Sequence, residues 1–171
     1  MRYIILGISL ALGACGFTPL YGQGGGAAPA AQELSAVSVP LAKERPYQLL
    51  RNYLIEKWNP GNPLYRLDYR LFEERYDLGI RRDASASFAR LTIEANFQLI
   101  RLSDNALLAD GGSKALVSYN IVQSSFANLS AEEDARERAL RQIAEDITIK
   151  LASYFTGPDA GKPLQRRTPA S

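Results

Sequence analysis

The sequence of 171 residues contains no histidine, one cysteine, one tryptophan and one methionine. Without an imidazole group, a Ser-His-Asp triad, a Cys-His nucleophile and a histidine-ligated metal site are excluded. A single cysteine can form neither an internal disulfide nor a cysteine-rich zinc site. Basic and acidic residues nearly balance, 20 against 18, so the chain has no strong positive field to attract nucleic acid. We therefore expect no metal, no cofactor and no nucleic-acid partner.

Residues 1–14 have the layout of a secretory signal peptide. A positive start at Arg2 precedes an apolar run, Tyr3 to Leu12, that is too short to span a bilayer as a helix. The segment Leu12-Gly13-Ala14-Cys15 resembles the bacterial lipobox, in which the cysteine sulfur is diacylated and the signal peptide is then removed. The alternative is an ordinary secretory cleavage site beside a cysteine that is merely small and apolar.

Lipidation of Cys15 predicts a domain that is tethered to the bilayer without spanning it. One acyl chain binds marginally and two or three bind almost permanently, because each buried methylene contributes about 0.8 kcal/mol. Gly16 follows the cysteine where aspartate would favour retention in the inner membrane, by analogy with sorting in enteric bacteria. We therefore expect a lipid anchor on the periplasmic side of the outer membrane of a Gram-negative bacterium.

The rest of the chain predicts one domain between two less structured segments. Residues 15–32 contain a Gly/Ala/Pro stretch without side chains that could form a core, which indicates a flexible spacer. Residues 33–156 carry the periodic patterns of a single domain. Residues 157–171 are polar, contain three prolines and are predicted to be a disordered tail.

Periodicity within the domain predicts the order β-α-β-β-β-α. A short strand ends at Pro40, and a helix follows with Pro46 in its first turn. Three alternating strands come next, and a slip of phase at Phe72-Glu73-Glu74 indicates a β-bulge. Ser130 and Glu133 have the spacing of a capping box at the start of the last helix. The expected fold is α+β: a two-layer sandwich with a mostly antiparallel four-stranded sheet and two helices on one face.

The candidate catalytic groups are two acidic pairs, Glu73-Glu74 and Glu132-Glu133. Two carboxyl groups can hydrolyse a glycoside, so an enzyme acting on cell-wall glycan is one hypothesis. However, the first pair falls at the predicted bulge and the second in the predicted helix cap. Gly24-Gly25-Gly26 has neither the lysine nor the preceding strand of a phosphate-binding loop. We therefore predict a protein that is not an enzyme.

Arg81 and Arg82 form a basic doublet inside the predicted domain, between its second and third strands. Such a doublet is usually a solvated loop, and the alternative is phosphate recognition, because a guanidinium group can bond to phosphate as a fork. Tyrosines on predicted strands suit either half-buried sheet positions or a partner surface; these are Tyr65, Tyr69, Tyr76 and Tyr119.

The segment Cys15-Gly16-Phe17-Thr18-Pro19-Leu20-Tyr21-Gly22 resembles the mature amino terminus of alphaproteobacterial LPS-assembly lipoproteins, the LptE family. The likeness continues from about Glu33 to Phe155 in the order of strands and helices, and includes Leu50-Arg51-Asn52-Tyr53-Leu54 in the first helix. This resemblance implies a small two-layer sandwich that sits in the lumen of the outer-membrane barrel LptD, helps the barrel to fold and contacts lipopolysaccharide.

In enteric members of that family, basic residues at two places are linked to lipid A binding. The first place, between the second and third strands, is matched here by Arg81 and Arg82. The second, just before the last helix, holds Ala127-Asn128-Leu129 instead of a lysine, with Lys114 as the candidate substitute. The resemblance therefore implies a phosphate contact at the doublet and leaves the second contact unmatched.

The predicted function is a non-catalytic outer-membrane lipoprotein that plugs LptD and assists lipopolysaccharide insertion. Cys15 would carry the lipid, and Arg81 and Arg82 would contact lipopolysaccharide phosphates. The partners are then the LptD barrel, lipopolysaccharide and, through the acyl anchor, the lipid bilayer. The alternative is an auxiliary lipoprotein of an ABC-type lipid transporter, which a permease gene next to this one would favour.

Overall fold

The computed structural model describes residues 27–78 and 87–164. These residues form α1 (Ala27–Ser35), β1 (Val37–Ser38), α2 (Arg45–Trp58), β2 (Tyr65–Leu78), β3 (Ser87–Arg101), β4 (Leu107–Ile121) and α3 (Ser125–Thr156). One sheet holds the strands in the order β1-β2-β3-β4, with β1 parallel to β2 and the other neighbours antiparallel. The predicted α+β sandwich with a mostly antiparallel four-stranded sheet is confirmed.

The long strands give the molecule two distinct ends. At the distal end, Leu78 pairs with Phe88, and Ser87 pairs with Ile121. At the proximal end, Tyr65 pairs with Arg101, and β1 and α1 lie beside the start of β2. Strands of 14 and 15 residues are about 50 Å long at 3.4 Å per residue, so the ends are far apart.

The core lies between the sheet and the helices. Alternate residues of β3, from Ala89 to Leu99, point to one face and are all buried. Apolar stripes of α2 and α3 pack on this face, and the indole N–H of Trp58 donates to Thr148 Oγ1 at 3.1 Å, which ties the two helices together. The largest buried side chains from the helices are Leu50, Leu54, Leu140, Ile143, Ile147 and Leu151.

Helix α1 corrects the predicted start of the domain. It begins at Ala27, so the expectation of a flexible spacer through residue 32 is wrong from that position onward. Alanine has the highest helix propensity, and the helix packs against α3 and buries Ala30 and Leu34 in the core. Packing of this apolar side supplies the stability that nine residues lack as an isolated helix.

The predicted bulge at Phe72-Glu73-Glu74 is also wrong. Strand β2 pairs with β3 in one unbroken register along its whole length. The hydrophobic pattern changes here because Glu73 and Arg75 point toward ion-pair partners on α3, while Phe72 lies on the uncovered face. The register shift of this sheet lies instead at Leu99 and Ile100, between β3 and β4.

Helix α3 begins earlier than the capping box predicts. Its N-cap is Ser124, whose hydroxyl accepts a hydrogen bond from the backbone N–H of Ala127 at 3.3 Å. Ser130 lies inside the helix, and Glu133 pairs with an arginine instead of a cap. Both serines can cap a helix, and the sequence alone does not show that the apolar turn after Ser124 is helical.

The expected disordered tail is wrong for residues 157–164. The backbone N–H of Leu164 donates to Leu107 O at 2.8 Å, and that of Gly161 donates to the hydroxyl of Tyr154 at 2.9 Å. Arg101 adds a bond from Nη1 to Gly161 O at 2.9 Å. These bonds hold the segment against the start of β4; residues 165–171 lie outside the described ranges.

We predict that Gly111→Ala destabilises the fold. A Cβ atom at this position of β4 would lie 2.9 Å from Phe97 Cζ, and the buried ring would have to move. Overpacking of this kind costs about 1–3 kcal/mol of the free energy of unfolding, which denaturant titration would measure. Gly61→Ala is the control, because a Cβ atom there meets nothing within 4 Å. Equal stability of both variants would contradict the prediction.

Candidate functional site

The residues predicted to act at the membrane lie outside the described ranges. Cys15 precedes residue 27, and Arg81 and Arg82 fall between Leu78 and Ser87. The doublet lies in sequence between the end of β2 and the start of β3, and both of these strand ends are at the distal end. Among residues 27–78 and 87–164, no helix is long and apolar enough to cross a membrane.

Three of the four glutamates in the two acidic pairs meet at one arginine of α3. Arg136 donates from Nε and Nη2 to the carboxylate of Glu73 on β2, at 2.7–3.2 Å, and from Nη2 to Glu132 at 3.0 Å. Its Nη1 lies 3.1 Å from Glu133 Oε1. The Arg136 side chain is only 13% exposed, so this charged fork is shielded from solvent. Glu74 points to the opposite face of the sheet because successive strand residues alternate.

A second arginine and a tyrosine complete what we call the β2–α3 ion cluster: Glu73, Arg75, Tyr119, Glu132 and Arg136. Arg75 Nη1 and the hydroxyl of Tyr119 donate to Glu132 Oε2, at 3.1 and 2.9 Å. Burial alone would raise the pKa of Glu132, but hydrogen bonds from Tyr119 and Arg136 and the charge of Arg75 hold it below its ordinary value. Burial and the bond to Glu132 raise the pKa of Tyr119 to about 12.

This geometry is suited to joining β2 to α3 and not to acid–base catalysis. A glycosidase needs one carboxyl group of raised pKa as the proton donor beside an ionised partner. The pKa of Glu132 is lowered, which is the reverse of what a proton donor needs, and Glu73 accepts two N–H bonds from the guanidinium group of Arg136. Within the part of the chain that the structure describes, no three side chains are grouped as metal ligands.

The structure does not place a basic side chain where the resemblance leads one to expect the second phosphate contact. Ala127-Asn128-Leu129 lies within the first turns of α3. Lys114 is not a substitute at that place, because it lies in the middle of β4 on the uncovered face and pairs with Glu94 of β3.

Apolar side chains occupy the start of α3 instead. Phe126 and Leu129 are one turn apart on the helix, and Val122 precedes its cap. All three are exposed, and we call them the apolar tip cluster. The side chain of Asn128 bonds both the N–H and the C=O of Val122, each at 2.8 Å, and so holds the strand exit against the helix.

The uncovered face of the sheet changes character along its length. Its distal half combines exposed apolar residues with charged ones, and aromatic and arginine side chains are enriched at protein interfaces. The exposed apolar residues are Phe72, Tyr76, Phe88 and Leu116. Its proximal half is polar and includes an ion pair of 3.0 Å between Arg66 and Asp68.

Of the four tyrosines on the predicted strands, three pack within the domain and one is exposed on the sheet surface. Tyr69 stacks on Tyr47 with ring centroids 5.6 Å apart and donates to its carbonyl at 2.8 Å. Tyr65 packs against an aromatic ring of α3, and Tyr119 belongs to the ion cluster. Tyr76 lies on the uncovered face, where it is available to a partner.

A family model described as LptE, lipopolysaccharide-assembly, matches residues 34–151, which is more than half of the chain. The chain belongs to the LptE family. It is therefore a lipopolysaccharide-assembly protein of a family of outer-membrane-associated lipoproteins. Helix α1 up to Glu33 and the segment after Leu151 lie outside the matched LptE region. None of the curated proteins matches the sequence.

A solved structure shares the fold of this LptE-family chain, and two others match it with lower scores. A Caulobacter crescentus protein designated a lipoprotein has 23% identity and a TM-score of 0.63, over 76% of this chain and 98% of that chain. A minor lipoprotein from Acinetobacter baumannii has 17% identity and a TM-score of 0.49, over 68% and 90%. Rare lipoprotein B from Shewanella oneidensis has 16% identity and a TM-score of 0.49, over 69% and 92%.

We predict that Glu73→Gln weakens this LptE-family domain, because it removes the ionised partner of the Arg136 fork. Hydrogen bonds to charged groups contribute about 1.5–3 kcal/mol, so we expect the free energy of unfolding to fall by about 1.5 kcal/mol at pH 7. Denaturant titration would measure it. Glu74→Gln is the matched control and should change stability by less than about 0.5 kcal/mol. Equal effects at the two positions would exclude the proposed role of the ion cluster.

Proposed function

We propose that this LptE-family protein is a non-catalytic lipoprotein that assembles with the LptD barrel, plugs its lumen and assists insertion of lipopolysaccharide into the outer leaflet. The observation that carries the proposal is the family match over residues 34–151. The chain has no histidine, and the carboxylates of the ion cluster are taken up by arginine and tyrosine. These features favour work by binding surfaces over work by a reactive side chain.

The proposed anchor is a lipidated Cys15 in the periplasmic leaflet of the outer membrane. Residues 16–26 separate it from the start of α1 at Ala27 and span at most about 40 Å when fully extended. Helix α1 packs on the body of the domain, so the tether enters at a fixed place. The anchor therefore keeps the domain within a few tens of ångströms of the membrane, close to any barrel in that membrane.

The surface proposed to contact LptD is the uncovered face of the sheet. The lumen of an outer-membrane barrel is polar, and the proximal half of this face is polar as well. Its distal half adds aromatic side chains, which give a partner large contact area at low entropic cost. The helix-covered face has no such role, because its apolar residues already form the core.

The proposed contact with lipopolysaccharide phosphates is made by Arg81 and Arg82. The strands that flank the doublet, β2 and β3, have the adjacent termini at the distal end, away from the tether. Arginine binds phosphate through two parallel N–H bonds, which lysine cannot match.

Purification of the tagged full-length lipoprotein from outer membranes tests the proposal. We expect mild detergent extraction to recover the LptD barrel and lipopolysaccharide with the bait, identified by mass spectrometry. Recovery of an inner-membrane ABC transporter instead would favour the alternative of a transporter auxiliary protein. Recovery of neither would contradict the proposed function.

We predict that Arg81→Ala with Arg82→Ala weakens lipopolysaccharide binding about 10- to 100-fold and leaves LptD recovery unchanged. The loss corresponds to about 1.5–3 kcal/mol for a charge-assisted contact. Direct binding of lipopolysaccharide to the full-length lipoprotein would measure it. Arg166→Ala with Arg167→Ala is the matched control, since it removes an equal charge outside the family match. If the first variant bound lipopolysaccharide as the wild type does, the proposed phosphate contact of the doublet would be contradicted.

A further inference from the structure

The apolar tip cluster is an exposed apolar surface that the proposed phosphate and barrel contacts do not explain. Phe126 is 80% exposed, Leu129 62% and Val122 52%. Phe126 and Leu129 project from the same side of α3 because they are three residues apart. Exposure of three neighbouring large apolar side chains at the end of a domain is typical of a binding surface.

The chain segment that forms the apolar tip cluster carries no charge. The sequence from Ala115 to Ala131 contains no acidic or basic residue, although 22% of the chain is charged. The first charged residue of α3 is Glu132, whose carboxylate is held by Arg75, Arg136 and Tyr119. Arg75 and Arg136, which reach this turn of the helix, are already paired with Glu132, so the segment itself suits a ligand group without charge.

The cluster is held in place before any ligand binds. Ser124 caps α3, and the side chain of Asn128 bonds both backbone groups of Val122. Glu132 fixes the next turn of the helix to Tyr119 of β4. A preorganised surface loses less conformational entropy on binding, which favours affinity for a flexible ligand.

The size and chemistry of the cluster favour hydrocarbon over a protein partner. Three side chains of this exposure present on the order of 300 Å², since one aromatic residue buries at most about 250 Å². A stable protein interface needs about 800 Å² on each partner. The polar lumen of a barrel is also a poor complement for three exposed hydrocarbon side chains.

We propose that the apolar tip cluster binds acyl chains of lipopolysaccharide at the distal end. This inference rests on the proposed function and adds a second, apolar contact to the phosphate contact of the arginine doublet. An amphiphile held at both its phosphates and its chains is oriented as well as bound. The start of α3 thus contributes to lipid A recognition here through the hydrophobic effect, without a lysine.

The test compares two double variants of the full-length lipidated protein in detergent. Phe126→Ser with Leu129→Ser removes the two most exposed members of the apolar tip cluster. Leu41→Ser with Leu64→Ser removes two exposed leucines, 85% and 58% exposed, from elsewhere on the surface. The probes are intact lipopolysaccharide, the same lipopolysaccharide after chemical deacylation, and phosphatidylethanolamine, each in the same detergent. Denaturant titration of both variants verifies that the fold is retained.

We expect the tip variant to bind intact lipopolysaccharide about tenfold more weakly than the wild type, with the leucine control unchanged. The wild type and the tip variant should bind the deacylated form equally weakly. Equal binding of intact lipopolysaccharide by the wild type and the tip variant would overturn the inference and leave the proposed function standing. An equal loss of binding to phosphatidylethanolamine would assign the cluster to the bilayer instead and overturn the inference.

Recovery of LptD with the tip variant distinguishes a failure of this inference from a failure of the proposed function. Loss of barrel recovery by the tip variant, with lipopolysaccharide binding intact, would make the cluster a protein contact and overturn the inference. Failure of the wild type to bind lipopolysaccharide at all would instead overturn the proposed function, and the inference with it.

Discussion

The packing of α3 along the sheet is the contact on which the rest of the structure depends. At 1.5 Å per residue its 32 residues extend about 48 Å, close to the length of the strands, so one helix covers the sheet from end to end. Leu140, Ile143 and Ile147 are fully buried against it. Burial of each such side chain contributes about 1.5–3 kcal/mol, and α1 and α2 complete their own burial against α3.

This arrangement leaves one face and one end of the molecule for partners. In the distal half of β2, ion pairs of the β2–α3 ion cluster replace apolar packing between this strand and α3. These ion pairs hold the strand from its helix-covered side, and its uncovered face carries exposed aromatic residues. The proposed tether joins the domain at α1, and the apolar tip cluster lies at the distal end of α3. In the proposed function, the membrane anchor and the ligand contact therefore use different parts of the domain.

The sequence predicts those parts of the fold that have strong periodicity. The alternation of β3 and the stripes of α2 and α3 lead directly to the observed sandwich. Local patterns fail where distant residues decide: Glu73 and Arg136 are 63 positions apart, so the sequence around Glu73 suggests a bulge when the actual cause is an ion pair. Helix α1 forms because it can pack on α3. Ser124 becomes the N-cap because Asn128 bonds to Val122, the residue after β4, and Ala127 N–H donates to the Ser124 hydroxyl.

The central claim is that this protein supports lipopolysaccharide assembly by binding LptD and lipopolysaccharide and not by catalysis. Depletion of the protein in its own bacterium, with surface lipopolysaccharide and folded LptD barrel quantified together over time, tests that claim most directly. The account predicts that both fall together and that the wild-type gene restores both. Unchanged levels of surface lipopolysaccharide and folded barrel after full depletion would contradict it.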